Sequence, residues 1–212
     1  DRRVQLVDKN GEAISWKGGQ KGDAFVAKRI PDFASLVMAG KVWGALDTTT
    51  TVALVARPTT VASLTAQNPA GSATWKVLLA ILAYCDVVPG TLGMVSFWQC
   101  THKLQAAVLT RDLALQGTGA GSAFAYKGLK SYDGDLILDR GATVVDDGWV
   151  PVGDPLVSNI ATTNFVAAEI ALKVPVILPP GASHSLQTTA TVVTFETALG
   201  YVWAELEASD LE

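Results

Sequence analysis

The rhythm of this chain limits its fold before any other feature does. Short apolar runs rich in Ala, Val and Thr are cut again and again by Gly, Pro, Asn and Asp. Val and Thr suit a pleated, half-buried surface better than a helix, and short runs bounded by turn residues read as strands. Trp75–Val88 is long and continuously apolar, which predicts a strand covered on both faces. Met94–Thr101 alternates, with Val95 and Phe97 on one face and Trp98 and Cys100 on the other. In Leu199–Leu206, the aliphatic face of Val202, Ala204 and Leu206 is expected to be core. The opposite face, Tyr201, Trp203, Glu205 and Glu207, is expected to be solvated or pressed against a neighbour. Gly153-Asp154-Pro155 reads as the end of a strand begun at Trp149, and Pro179-Pro180-Gly181 as a rigid turn before the Thr-rich strand Ser183–Phe195. One segment reads as a helix, near residues 31–39. Pro31 and Asp32 open it, Phe33, Leu36 and Val37 share a face, and Gly40 stands where a C-terminal cap belongs.

This pattern predicts a mainly β fold, an antiparallel β-sandwich, with a jelly roll as one version of it. Residues 1–45 read as an N-terminal arm, a hairpin about Asn10-Gly11 followed by the short helix, and residues 46–212 as the sandwich domain. A chain of 22.2 kDa can bury about 70% of its unfolded surface, enough for a core without disulfides or metals. Hydrophobic residues make up 49% and charged residues 17%, which excludes disorder. So few charges leave an apolar surface that association would bury. The net charge of −4 and pI near 5.2 speak against direct contact with nucleic acid. Lys17, Lys21, Lys28 and Arg29, interrupted by Asp23, read as a solvated loop. No apolar run reaches the roughly 20 residues of a membrane span. The charged opening Asp1-Arg2-Arg3 does not read as a signal peptide; the lack of an initiator Met reads as a processed end or a stretch outside the numbering.

The sequence presents no catalytic residue, no cofactor site and no metal site. His102 and His184 read as surface or edge residues, and their spacing from the cysteines is not that of a zinc site. Cys85 and Cys100 read as core thiols, a disulfide between neighbouring strands being the alternative. No nucleophile elbow occurs, and the glycine-rich stretches lack the Lys-Ser/Thr of a phosphate loop. Asp133, Asp135 and Asp139 have the first spacings of a calcium loop. However, Leu138 stands where glycine is needed and Val144 where glutamate is needed. Asp146-Asp147-Gly148 reads as a turn. With Trp149 beside it, Asp146 and Asp147 form the one candidate glycan contact. Large aromatics concentrate contact energy at interfaces, so Trp149, Tyr201 and Trp203, with Thr189 and Thr191, are the expected oligomer interface.

Val4–Gly11, Pro31–Trp43, Ala83–Val87, Gly141–Trp149 and Leu178–Ala182 resemble uncharacterised structural proteins of tailed-phage and environmental viral genomes. The resemblance lies in general character across most of the chain, with Thr/Ala/Val-rich strands, few charges and a Pro-Pro-Gly turn before the last hairpin. It implies a non-enzymatic virion protein, a capsid decoration (cement) protein or a small shell subunit. Such a protein would associate with itself and with another virion protein, and would touch neither genome nor membrane. Single jelly-roll shells carry a basic arm on the genome side. Arg2 and Arg3 alone do not make one, which implies an outer-surface or tail role. The same physics would serve a carbohydrate-binding sandwich of a phage tail or outer surface, or a subunit of an extracellular filament or surface layer.

Overall fold

A computed structural model describes residues 32–47, 49–87, 93–102, 109–116, 123–128, 132–146, 148–158, 166–191 and 195–207. The expected N-terminal hairpin, the glycine-rich loop at 117–121 and Asp147 lie outside these residues. The chain divides into two compact units, Asp1–Ser35 and Leu36–Glu212. The elements are α1 (Asp32–Met38), β1 (Val42–Leu46), β2 (Thr51–Val52), β3 (Leu64–Gln67), β4 (Thr74–Val87), β5 (Gly93–His102), α2 (Leu113–Gln116), β6 (Phe124–Ala125), β7 (Ile137–Arg140), β8 (Val150–Ser158), β9 (Val166–Leu178), β10 (Ser183–Ala190) and β11 (Glu196–Glu207). Among the described residues, no helix is long and apolar enough to cross a membrane.

The strands form two antiparallel sheets packed face to face. The first runs β6-β1-β11-β4-β9, with β2 also on β11; the second runs β7-β3-β10-β5-β8. This is the expected mainly β sandwich; its strand order does not establish a jelly roll. The inter-sheet core takes Leu78, Ile81, Tyr201 and Trp203 from the first sheet and Leu64, Val95, Phe97 and Leu186 from the second. A hydrogen bond between Thr188 Oγ1 and Thr197 Oγ1, 2.8 Å, crosses from sheet to sheet.

Alternation places the remaining apolar side chains on the outer faces, and these are covered too. Val77, Ala80, Val202, Ala204 and Leu206 pack with Leu36 and Val37 of α1. The helix ends where expected, its last carbonyls accepting from Gly40 N and Lys41 N at 2.9 and 3.0 Å. On the far side of the second sheet, Cys100 packs under Leu109, Val144 and Trp149. The double cover read from Trp75–Val88 is therefore present. The aromatic face of β11 corrects its expectation, since Tyr201 and Trp203 are wholly inside the sandwich. β1 runs through residues 45 and 46 and is bonded along β11 from Val42↔Ala204 to Leu46↔Gly200.

The expected strand end at Gly153-Asp154-Pro155 proves to be an interruption within a strand, and a second strand is interrupted in the same way. β8 loses its ladder to β5 between Val152↔Phe97 and Leu156↔Val95, at Gly153-Asp154-Pro155. β9 loses its ladder to β4 between Ala171↔Ala80 and Val176↔Leu78, a stretch that contains Pro175. Proline has no N–H to give the ladder and is confined to edges and bulges. β8 and β9 are both edge strands, and bulged, proline-bearing edges resist pairing with another chain.

Gly200 gives a test of this register. A Cβ there would run into the Ala45 carbonyl oxygen and come within 2.8 Å of Leu46 Cα. Both are backbone atoms that cannot swing aside. Gly200→Ala should lower the unfolding free energy by about 2–4 kcal/mol, read by urea denaturation. Gly71→Ala, where nothing lies within 4 Å, should change it by about 0.5 kcal/mol or less.

Candidate functional site

Three places in the sandwich gather polar groups. The first lies between the bulged edges, where β8 and β9 leave a cleft of about 380 Å³. Ile170, Leu172 and Val152 give it apolar walls, Asp154 a carboxylate, and Gln99 an amide. Gln99 Oε1 is 3.1 Å from His184 Nε2, and His184 Nδ1 is 3.1 Å from the Tyr201 hydroxyl. That hydroxyl also reaches the His184 carbonyl at 3.0 Å. Burial, helped by the nearby His102, pushes the His184 imidazole down to about 3, so it is neutral at physiological pH. An amide oxygen only accepts, so with Gln99 turned this way Nε2 carries the proton, and Nδ1 shares the single Tyr201 hydroxyl proton with the His184 carbonyl. Each nitrogen is thus occupied, and the ring is not placed to act as a base on anything in the cleft.

The second place is on the outer face of the second sheet. Thr65 Oγ1 and Ser185 Oγ are 2.9 Å apart, His102 Nε2 is 3.0 Å from Ser185 Oγ, and Cys100 Sγ lies 3.9 Å from His102 Nδ1. A hydroxyl or thiol beside an imidazole is the pairing that activates a nucleophile. Here all four side chains are fully buried, so no substrate reaches them. Their bonds satisfy polar atoms that the cover would otherwise leave unpaired. Both histidines therefore correct the surface reading: β5 and β10 are inner strands, and both imidazoles are fully buried.

The third is built around Lys76. It is directly opposite Glu205 in the β4/β11 register, and its side chain is fully buried. Its Nζ touches Asp135 Oδ1, lies 3.2 Å from Glu205 Oε1 and donates to Thr74 Oγ1 at 2.6 Å. Tyr132 donates its hydroxyl proton to Glu205 and accepts from Leu136 N at 2.7 Å. Burial pushes the Tyr132 hydroxyl far up, with the Glu205 charge adding to it. Burial also raises Asp135, but hydrogen bonds from Lys76 and Ser72, with the Lys76 charge, outweigh it and hold the carboxyl below the usual range. A buried ammonium with two carboxylate partners is the arrangement that makes a buried charge tolerable. Beside it is an open cleft of about 310 Å³.

The residues singled out from sequence are dispersed. Tyr201 and Trp203 fill the core, and Trp149 is buried with its Nε1–H donating to Thr59 O at 2.6 Å. None of the three offers a ring to a partner, which removes them from the expected interface and removes the stacking platform from the glycan contact. Asp146 instead takes two hydrogen bonds from Arg57, at 3.0 and 3.1 Å. Thr189 and Thr191 do line the surface, in a shallow groove with Val55, Met94 and Ser96. Cys85 and Cys100 are on β4 and β5, in different sheets, and are not disulfide-bonded; burial raises the Cys85 thiol to about 11. Asp139 accepts from Thr110 N, so it does not join Asp133 and Asp135. Lys76 and Gln99 are not among the residues that the sequence singles out. For Lys76 a signal exists, a lone charge inside an apolar strand; Gln99 has none.

No known protein family matches this chain, and no curated protein is similar to it.

His184 makes stability pH-dependent. An imidazole of ordinary pKa 6.5 when unfolded and about 3 when folded binds its proton in the unfolded state first. Stability is then full above pH 6.5 and falls as pH drops toward 3, by up to about 1.4 kcal/mol per unit. The upper part of this window lies above the titration range of ordinary carboxylates, about 4. The melting temperature should therefore decline between pH 6.5 and 4.5, and His184→Gln should flatten that decline. An equally steep decline in the variant would assign it to other groups.

Proposed function

We propose that this protein is a non-enzymatic structural subunit that associates with copies of itself through the outer face of its second sheet. The observation that carries the reading is the groove at the end of β10. Val55, 66% exposed, and Met94, 39% exposed, stand beside it, with Thr189 and Thr191 between them. Arg57 lines the same groove, and its charge is neutralised on the protein itself by Asp146. A face of this kind loses little hydration when covered. It can also meet itself across a two-fold axis without like charges facing. The low charge of the whole chain points the same way. The setting we propose is a virion, as a decoration protein or small shell subunit, following the resemblance to phage structural proteins.

Light scattering after size exclusion tests the association. The wild type should exceed the monomer mass of 22.2 kDa, increasingly so at higher concentration. Val55→Lys with Met94→Lys would place like charges opposite each other, a cost of several kcal/mol or roughly a hundredfold or more in affinity, and should return the monomer. A wild type that stays at the monomer mass across the whole concentration range would sink the proposal.

A further inference from the structure

We propose that Lys76 and Asp135 condense to an intramolecular amide that staples one sheet to the other, with Glu205 carrying the protons. The two functional groups are already side by side: Nζ touches Oδ1 of Asp135, the oxygen bonded to the carbon it would attack, and Glu205 Oε1 lies 3.2 Å from the same nitrogen. Each partner is held by a different part of the fold. Lys76 and Glu205 face each other across β4 and β11, while Asp135 arrives on the loop before β7. Trp203 Nε1 donates to Glu205 at 3.3 Å, and the Tyr132 hydroxyl donates to it as well. Tyr132 sits edge-on between Trp43 and Trp203, with ring centres 5.0 and 5.2 Å away, so one wall of the site is aromatic. Gly134 lets the loop close: a Cβ there would be 2.6 Å from both Glu205 carboxylate oxygens.

An amine and a carboxyl react only as neutral molecules, and in water both are charged. The ion pair is the resting form here as well. The reaction passes through the minor neutral form of the pair, in which one Nζ proton has moved, through Glu205, to an Asp135 oxygen. The freed nitrogen lone pair then attacks Asp135 Cγ. Glu205 takes a second proton from nitrogen and delivers it to the departing hydroxyl. The N–C bond forms, the C–O bond breaks, and one water leaves on the open side, where the Asp135 side chain is 45% exposed. Of the three ammonium protons, two leave in that water and one stays on the amide. No oxidation state changes, and no co-reactant is needed. The bond would close a loop between residues 59 apart in sequence, restricting the unfolded chain as a disulfide does, in a protein whose two cysteines are not paired with each other. It does not depend on self-association.

Intact-mass spectrometry of the folded full chain is the test. The wild type should weigh one water less than its sequence. A tryptic digest should yield a branched peptide joining the Lys76 and Asp135 segments, with cleavage after Lys76 blocked. Lys76→Arg, Asp135→Ala and the nearly isosteric Glu205→Gln should each show the full mass, with circular dichroism confirming that they fold. A folded wild type at its full sequence mass overturns the proposal without reference to any variant. So does a water loss mapped to a succinimide at Asp133-Gly134. Complete cross-linking in folded Glu205→Gln overturns the role given to Glu205.

Discussion

Both central strands of the first sheet are apolar on both faces, and the layering of the molecule answers to that. β4 carries Leu78 and Ile81 toward the second sheet and Val77 and Ala80 away from it. β11 does the same with Tyr201 and Trp203 on one side and Val202 and Ala204 on the other. A single sheet-to-sheet contact buries only one face of each. The other needs its own cover, and Leu36 and Val37 of α1 supply it. The second sheet repeats the arrangement, with Leu109, Val144 and Trp149 over Cys100. Long connections that would otherwise be solvent loops are thereby drawn in as outer layers.

Covering both faces draws polar side chains into dry surroundings. Thr65, Ser185, His102 and Gln187 are on β-sheet positions that would face water in a sandwich with bare outer faces, and here they are buried. Each must then find a partner within the protein, because an unmade hydrogen bond costs more than a made one contributes. The result is the short chain Thr65-Ser185-His102, which looks catalytic in outline but has no access for a substrate; between the sheets Gln99-His184-Tyr201 is a second such chain, in which Gln99 alone lines a cleft. Lys76 is the extreme case, a full charge on the core side of β4 that only the Asp135 and Glu205 carboxylates make tolerable. The same proximity that satisfies the charge also sets an amine against a carboxyl.

Much of the fold is legible in the chain. The split of β5 into Val95 and Phe97 against Trp98 and Cys100 follows from alternation alone, as does the sharing of one face by Tyr201, Trp203 and Glu205. The α1 limits follow from its opening Asp32 and closing Gly40. The departures share a cause, namely that periodicity tells which residues share a face but not what lies over it. Tyr201 and Trp203 look solvated or intermolecular because Glu205 shares their face; the partner that accounts for Glu205 is Lys76, remote in sequence. His102 and His184 look like edge residues because each stands near a strand end. Pro155 looks like the end of a strand because a proline breaks a ladder. Nothing local shows that the strand resumes beyond it.

The class of the fold, the strand faces and the helix are therefore written in the chain, because they rest on local stereochemistry and on a period of two that survives in any β context. So is the scarcity of charge from which association is inferred. Three-dimensional packing settles the rest: which face meets the other sheet, which meets a helix or loop, and which stays open at Val55 and Met94. Packing also brings Asp135 to Lys76 and Glu205. These are contacts between segments far apart in the chain, made when two sheets close on each other, and no local pattern encodes which distant strand end a side chain will meet.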